Sequence, residues 1–275
     1  MSTFFRRRPL LSFFLLAYGL TWVITVPWML SRRGLITIEI PHSWEVLAAF
    51  GPLVAALIVA RAVGGKPGMQ AIFSSLWHWR VGWFWFLFTI LTPLLLLLTA
   101  IVITATTSGA MPNFQSDGTR ALLTMAGLFD LLIVSGFIQG LGEEPGWRGF
   151  ALPQLRKRYG PLAATLYLFP VWLCWHLPTF LARPNFGLIE WMGFSLGILS
   201  AAIWLTLIWD ATQSLLMAVL WHELINVCRN IALAVSMPMF LAIGNAVLLG
   251  AIIIMIYWLF KKPGPDRGEI PPLSN

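Results

Sequence analysis

Apolar runs long enough to cross a bilayer as helices recur along the chain, at roughly 9–30, 43–63, 82–107, 119–147, 161–182, 188–209, 211–233 and 238–260. A spanning helix needs about 20 mostly apolar residues, whereas barrel strands are short and alternate. The runs therefore predict helices. Only 11% of the 275 residues are charged and 58% are hydrophobic, against about 25% charged in a soluble domain. That balance excludes a soluble enzyme, a disordered chain and a secreted disulfide scaffold. The expected fold class is all-α, a polytopic transmembrane helical bundle of about eight spans. The first run follows Arg6, Arg7 and Arg8 like a signal peptide, but it is too long, and Pro27-Trp28-Met29 is a poor cleavage site.

Eight spans put both termini on one side. That side holds Arg6, Arg7, Arg8, Arg61, Lys66, Arg80, Arg156, Lys157, Arg158, Lys261, Lys262 and Arg267. The other side holds Arg32, Arg33, Arg120, Arg183 and Arg229, and Arg148 falls at a membrane edge. Twelve against five predicts cytoplasmic termini by the positive-inside rule.

Short connections predict one membrane-embedded domain over 1–262, with a flexible tail at 263–275 broken by four prolines. In the longest link, 64–80, Gly64-Gly65-Lys66-Pro67-Gly68 predicts a turn, and Trp77, Trp79 and Arg80 a segment at the headgroups. Many of the 15 tryptophans fall near span ends, where anchoring is the expected role. Cys174 and Cys228 read as buried, inert thiols. No inverted repeat of the kind transporters carry is visible. The bilayer itself is an expected partner and nucleic acid is not.

Ionisable groups inside a bilayer are costly and mark function. The set is Asp130, Glu143, Glu144, Arg148, His176, Asp210, His222 and Glu223. In Gly142-Glu143-Glu144-Pro145-Gly146-Trp147-Arg148-Gly149, adjacent carboxylates point about 100° apart and can take different roles. Glu144 and Arg148, at i,i+4, are placed to pair, leaving Glu143 to face a cavity. Pro145 and Gly146 weaken the helix just after. The plain alternative is an interfacial helix end with solvated charges. In Trp172-Leu173-Cys174-Trp175-His176-Leu177-Pro178, the Trp172 indole can wall the His176 imidazole, a proton carrier or metal ligand. Taken alone, His176 reads as a hydrogen-bonded core residue. In His222-Glu223-Leu224-Ile225-Asn226, His222 and Asn226 share a face. The fifth position is not His, so this is no zincin motif, and interhelical hydrogen bonding is the plain alternative. If the spans are straight, Glu143 lies nearer the cytoplasm than His222, so convergence needs tilt or an unwound turn near Pro145.

Taken in order, Glu-Glu-x-x-x-Arg, aromatic-x-x-x-His and His-x-x-x-Asn on successive helices resemble the CPBP family of intramembrane proteases. That group includes type II CAAX prenyl endopeptidases and bacterial Abi relatives. The resemblance covers about 140–230, with Phe50-Gly51-Pro52 also fitting, and the wording is that of bacterial members. It implies an eight-helix core with a cavity open to the cytoplasm, in a bacterial cytoplasmic membrane. It also implies that Glu143 and His176 activate water and that His222 and Asn226 stabilise the oxyanion. Glu144 and Arg148 would hold the site in shape, and Trp172 stands where Phe is commoner.

Amide hydrolysis needs an activated water, a proton for the leaving amine and donors for the oxyanion. Glu143, His176 and Asn226 meet those needs without a metal. Glu143, His176 and His222 would equally make a His₂Glu set for one divalent ion, zinc above all. The metal-free version is preferred, because Asn226 suits an oxyanion better than a cation. The expected activity is endoproteolysis near the C-terminus or juxtamembrane part of a membrane-bound or lipidated polypeptide. A proton-coupled transporter and a non-catalytic scaffold or immunity protein are the alternatives. Oligomeric state is left open.

Overall fold

The computed structural model describes residues 2–41, 43–183 and 186–260; the tail expected at 263–275 lies outside them. Among the described residues every regular element is a helix. The long passes are α1 (Pro9–Arg32), α2 (Gly51–Leu76), α3 (Trp83–Ser108), α4 (Met125–Arg156), α5 (Pro161–Trp175), α6 (Leu188–Thr212), α7 (Leu215–Val235) and α8 (Met237–Phe260). Seven are long and apolar enough to cross a membrane, and α5, at 15 residues, is short. The protein is an integral, multi-pass membrane protein.

α5 still carries the chain from one end of the bundle to the other. It starts beside the Arg156–Asp210 ion pair (2.8 Å) and runs along α1, where Tyr18 donates to the Val171 carbonyl at 2.6 Å and Trp22 to that of Trp175 at 3.0 Å. Beyond it, Leu177–Leu181 completes the crossing, and Arg33 donates to the carbonyls of Leu181 and Arg183. The helix breaks at His176 because Pro178 has no N–H to return to Cys174.

The remaining contacts sort the loops into two ends. Arg6 meets the Ala62 carbonyl, Ser75 and Ser214 link the α2–α3 and α6–α7 connections, and Gly160–Leu166 lies beside Trp258 and Leu259. At the opposite end Arg33 meets Arg183, and Ser116 meets the Ala234 carbonyl. Eight passes therefore bring Arg6 and Phe260 to the same, more basic end.

Several expectations shift. The Gly64–Gly68 turn is a kink at Gly65 (φ 64°) inside α2, after which the chain folds back so closely that a Cβ on Gly68 would lie 2.6 Å from the Ala60 oxygen. Trp77 and Trp79 beyond it are exposed, as an interfacial segment requires. Seven other tryptophans, among them Trp147, Trp172, Trp175 and Trp221, are buried in the core; indole area drives packing there, not anchoring. Cys174 is exposed on α5, contrary to expectation, and Cys228 is buried. The fourth span was expected at 119–147. Instead Ser116 caps a separate short helix, Asp117–Leu122, and Thr124 caps the start of α4, which runs on to Arg156. Glu143 thus lies deeper than the expected boundary gave, and the depth mismatch with His222 disappears.

α4 packs on the start of α2 and the turn just before it, with no room for side chains between the backbones. A Cβ on Gly142 would lie 2.5 Å from the Ala49 oxygen, and one on Gly146 2.6 Å from the Pro52 Cβ. Small residues at such crossings are how membrane helices approach closely. Here they fix the height and rotation of the two glutamates between them.

Candidate active site

α4 is not uniformly α-helical. Asp130–Ile138 is π-helical, Gln139–Gly146 is α-helical, and Trp147–Ala151 is π-helical again. Pro145 cannot donate to Leu141; the Trp147 N–H still reaches the Glu143 and Glu144 carbonyls, and the widened turn follows at Trp147–Ala151. The expected weakening after Pro145 is therefore a π turn, a feature frequent at functional sites.

Glu144 is fully buried and serves as the hub. Its Oε1 accepts from Arg148 Nη1 at 3.0 Å and from His222 Nδ1 at 2.8 Å. The Arg148 guanidinium carbon sits 4.1 Å from the centroid of the Trp172 ring, and both residues are 1% exposed. Trp172 in turn donates from Nε1 to Glu143 Oε2 at 2.7 Å. Its carbonyl accepts from His176 Nδ1 at 2.9 Å, with the two rings 6.0 Å apart. One tryptophan thus touches Glu143, Arg148 and His176 by three different parts of itself.

The proton positions follow from the partners. A carbonyl oxygen only accepts, and Glu144 Oε1 already accepts from an arginine, so Nδ1 carries the proton in both histidines. Nε2 is then the nitrogen left for chemistry in each ring. Among the described residues, Glu144 Oε2 and Arg148 Nε and Nη2 are buried without a hydrogen-bond partner. A buried polar atom left so costs about 1–3 kcal/mol, which an interior built only for stability would avoid.

Glu143, Glu144, Arg148, Trp172, His176 and His222 therefore form one continuous contact set. Asn226 joins it indirectly, because its Nδ2 donates to Gln139 Oε1 at 3.1 Å, one turn before Glu143. His222 and Asn226, expected to aim at one point, are held by different partners on α4. Asp130 is exposed on the first π segment, and Asp210 pairs with Arg156 at the basic end. Neither belongs to the site. Gln139, which sequence reasoning passed over, belongs to its frame, as does Glu223, named among the intramembrane ionisable groups without a role, whose Oε1 accepts from the Gly140 N–H at 2.9 Å. Gln139 could have been found by its i,i+4 relation to Glu143. For Glu223, a carboxylate inside an apolar span was the signal.

In the expected ligand set Trp172 holds one oxygen of Glu143, the Trp172 carbonyl holds His176 Nδ1 and Glu144 holds His222 Nδ1. Such outer partners also hold the imidazoles of metal sites, and they leave Nε2 of each histidine outside these bonds. Among the described residues no three His, Cys, Asp or Glu side chains stand together as a metal site.

Residues 125–228, which contain this whole set, match the family described as type II CAAX prenyl endopeptidase Rce1-like. The chain is also 29% identical over 178 residues to CAAX prenyl protease 2 of Methanococcus maripaludis, a match covering 60% of this chain and 63% of that protein. The matched part is thus less than two thirds of the relative's length.

Proposed function

We propose that this chain, whose residues 125–228 match the Rce1-like family of type II CAAX prenyl endopeptidases, is an intramembrane endopeptidase of that kind. Its substrate is a membrane-associated polypeptide of CAAX type, cut near the C-terminus. The observation that carries this reading is the Glu143–Trp172–His176 chain of contacts, with Glu144 and Arg148 behind it.

In this reading Trp172 fixes one oxygen of Glu143, and the other takes a proton from the attacking water. The His176 Nε2, outside the Nδ1 bond to the Trp172 carbonyl, passes a proton to the leaving amine. His222, when protonated, carries an Nε2–H donor, and Asn226 carries an amide donor; both act on the oxyanion that develops in the transition state. Glu144 neutralises Arg148 and orients His222. Water is activated without a metal in this reading, because Asn226 suits an oxyanion better than a cation. The basic end faces the cytoplasm of a bacterial cell, both termini lie there, and the substrate enters from that side.

Purified protein in proteoliposomes should cut a prenylated CAAX-type peptide at an internal bond and should not dissipate a proton gradient. Flux without cleavage would replace the protease with a carrier.

A further inference from the structure

Two columns of side chains leave the site toward the end opposite the basic one, and both finish in an arginine. On the segment after α5, the His176 ring stacks on Phe180 with centroids 5.7 Å apart and planes 17° from parallel. The Arg183 guanidinium lies 5.8 Å from the centroid of that same Phe180. On α7, His222, Asn226 and Arg229 follow at i, i+4 and i+7, one stripe of the helix. The Arg229 guanidinium carbon lies 5.4 Å from the centroid of Phe240, at the start of α8. Arg183 is close enough to act electrostatically on both His176 and Arg229.

Neither arginine has an acidic partner: among the described residues no carboxylate lies within ion-pair distance of Arg183 or Arg229. Two like charges gathered beyond a reaction centre, inside or at the edge of a bilayer, are costly without an anion. Snorkelling toward headgroups accounts for Arg183, which is exposed. It accounts less well for Arg229, which is only partly exposed and starts six residues before the end of α7.

The spacing suits a short peptide end. Arg229 is three residues beyond Asn226, a rise of about 4.5 Å, to which its own side-chain length is added. Three extended residues span about 10 Å. A peptide whose scissile carbonyl sits by Asn226 therefore brings its last carboxylate to the arginines if only a few residues follow the cut. A guanidinium recognises a carboxylate by two parallel hydrogen bonds.

We propose that Arg229, seconded by Arg183, binds the free α-carboxylate at the C-terminus of the peptide being cut, so that the cleaved bond lies a fixed, short distance from the chain end. This rests on the endopeptidase reading above and adds to it the group that sets the cleavage position.

The test compares one prenylated peptide as the free acid and as the C-terminal amide, with wild type, Arg229→Gln and Arg229→Lys in phosphatidylcholine vesicles, with and without phosphatidylglycerol. Wild type should prefer the acid by about 10- to 100-fold in kcat/KM, the usual worth of a charge-assisted hydrogen bond. Arg229→Gln should bring the acid-to-amide ratio near one, and Arg229→Lys should restore part of it. Should Arg229→Gln fail to fold, Arg183→Gln is expected to lower the same ratio. Wild type cutting acid and amide alike, or Arg229→Gln keeping the preference, would overturn the proposal while leaving the endopeptidase intact. Wild type cutting neither would sink both. A loss on both peptides that tracks phosphatidylglycerol content would give the arginine to a lipid phosphate and overturn the carboxylate assignment.

Discussion

Glu144 and His222, 78 residues apart in sequence, meet at 2.8 Å in the centre of the bundle, through the same carboxylate oxygen that holds Arg148. The second carboxylate of the Glu-Glu pair therefore does more than neutralise an arginine. It joins α4 to α7 and sets the tautomer of a site histidine.

The consequence is a separable pair of effects. Glu144→Gln leaves the fully buried Arg148 charge without a counter-charge, a loss of about 3–5 kcal/mol, read as a lower melting temperature in detergent. Replacing both Glu144 and Arg148 by Met should recover much of that stability, since apolar residues of similar volume tolerate the site. Cleavage should not recover with it, because His222 has lost its acceptor. Recovery of both together would make Glu144 a purely structural residue.

Trp172 gives a finer contrast. Trp172→Phe keeps a ring under Arg148 and beside His176 but removes the donor to Glu143. Turnover should fall by about fivefold, the share of one hydrogen bond near 1 kcal/mol, while the melting temperature moves little. Trp172→Ala should cost about 3–5 kcal/mol of stability as a core truncation. Equal turnover in wild type and Trp172→Phe would remove the indole N–H from the mechanism.

The close approach of α4 to α2 makes its own prediction. A methyl at Gly142 would sit 2.5 Å from the Ala49 oxygen, backbone against backbone, whereas one at Gly193 meets nothing within 4 Å. Gly142→Ala should destabilise by about 1–3 kcal/mol, as overpacking does, and also lower turnover by rotating Glu143 and Glu144. Gly193→Ala should change neither. Thermal melts and cleavage rates on the two variants decide it.

Much of this was legible in the sequence, and the reasons differ by residue. The eight passes follow from apolar length, and the Glu144–Arg148 pair from helical spacing, because both depend on local geometry alone. The end of α4 was misjudged by nine residues, since Pro145 reads as a helix breaker in a sequence but is absorbed by a π turn in the bundle. Trp147 looks like an interface anchor until its neighbours are known, and it is wholly buried. The Asn226–Gln139 and Glu223–Gly140 bonds join α7 to α4 across more than 80 residues. No one-dimensional spacing encodes such a contact.

Orientation is open to direct labelling. Cysteines replacing Thr3 and Asn113 lie at opposite ends of the bundle in this fold. An impermeant maleimide should reach position 113 from outside intact cells, and position 3 only after the membrane is opened. The reverse pattern would invert the protein, and with it the side from which substrate enters.

The most direct measurement is cleavage of a prenylated CAAX-type peptide by wild type and Glu143→Gln in proteoliposomes, with metal content determined on the same samples. Glu143→Gln should fold and keep its melting temperature, because a glutamine oxygen still accepts from Trp172. Its turnover should fall by about 10²–10⁴-fold, the contribution of a general base, and wild-type activity should survive chelation. Wild-type turnover in Glu143→Gln, or activity that requires one tightly held zinc per protein, would contradict direct activation of water by Glu143.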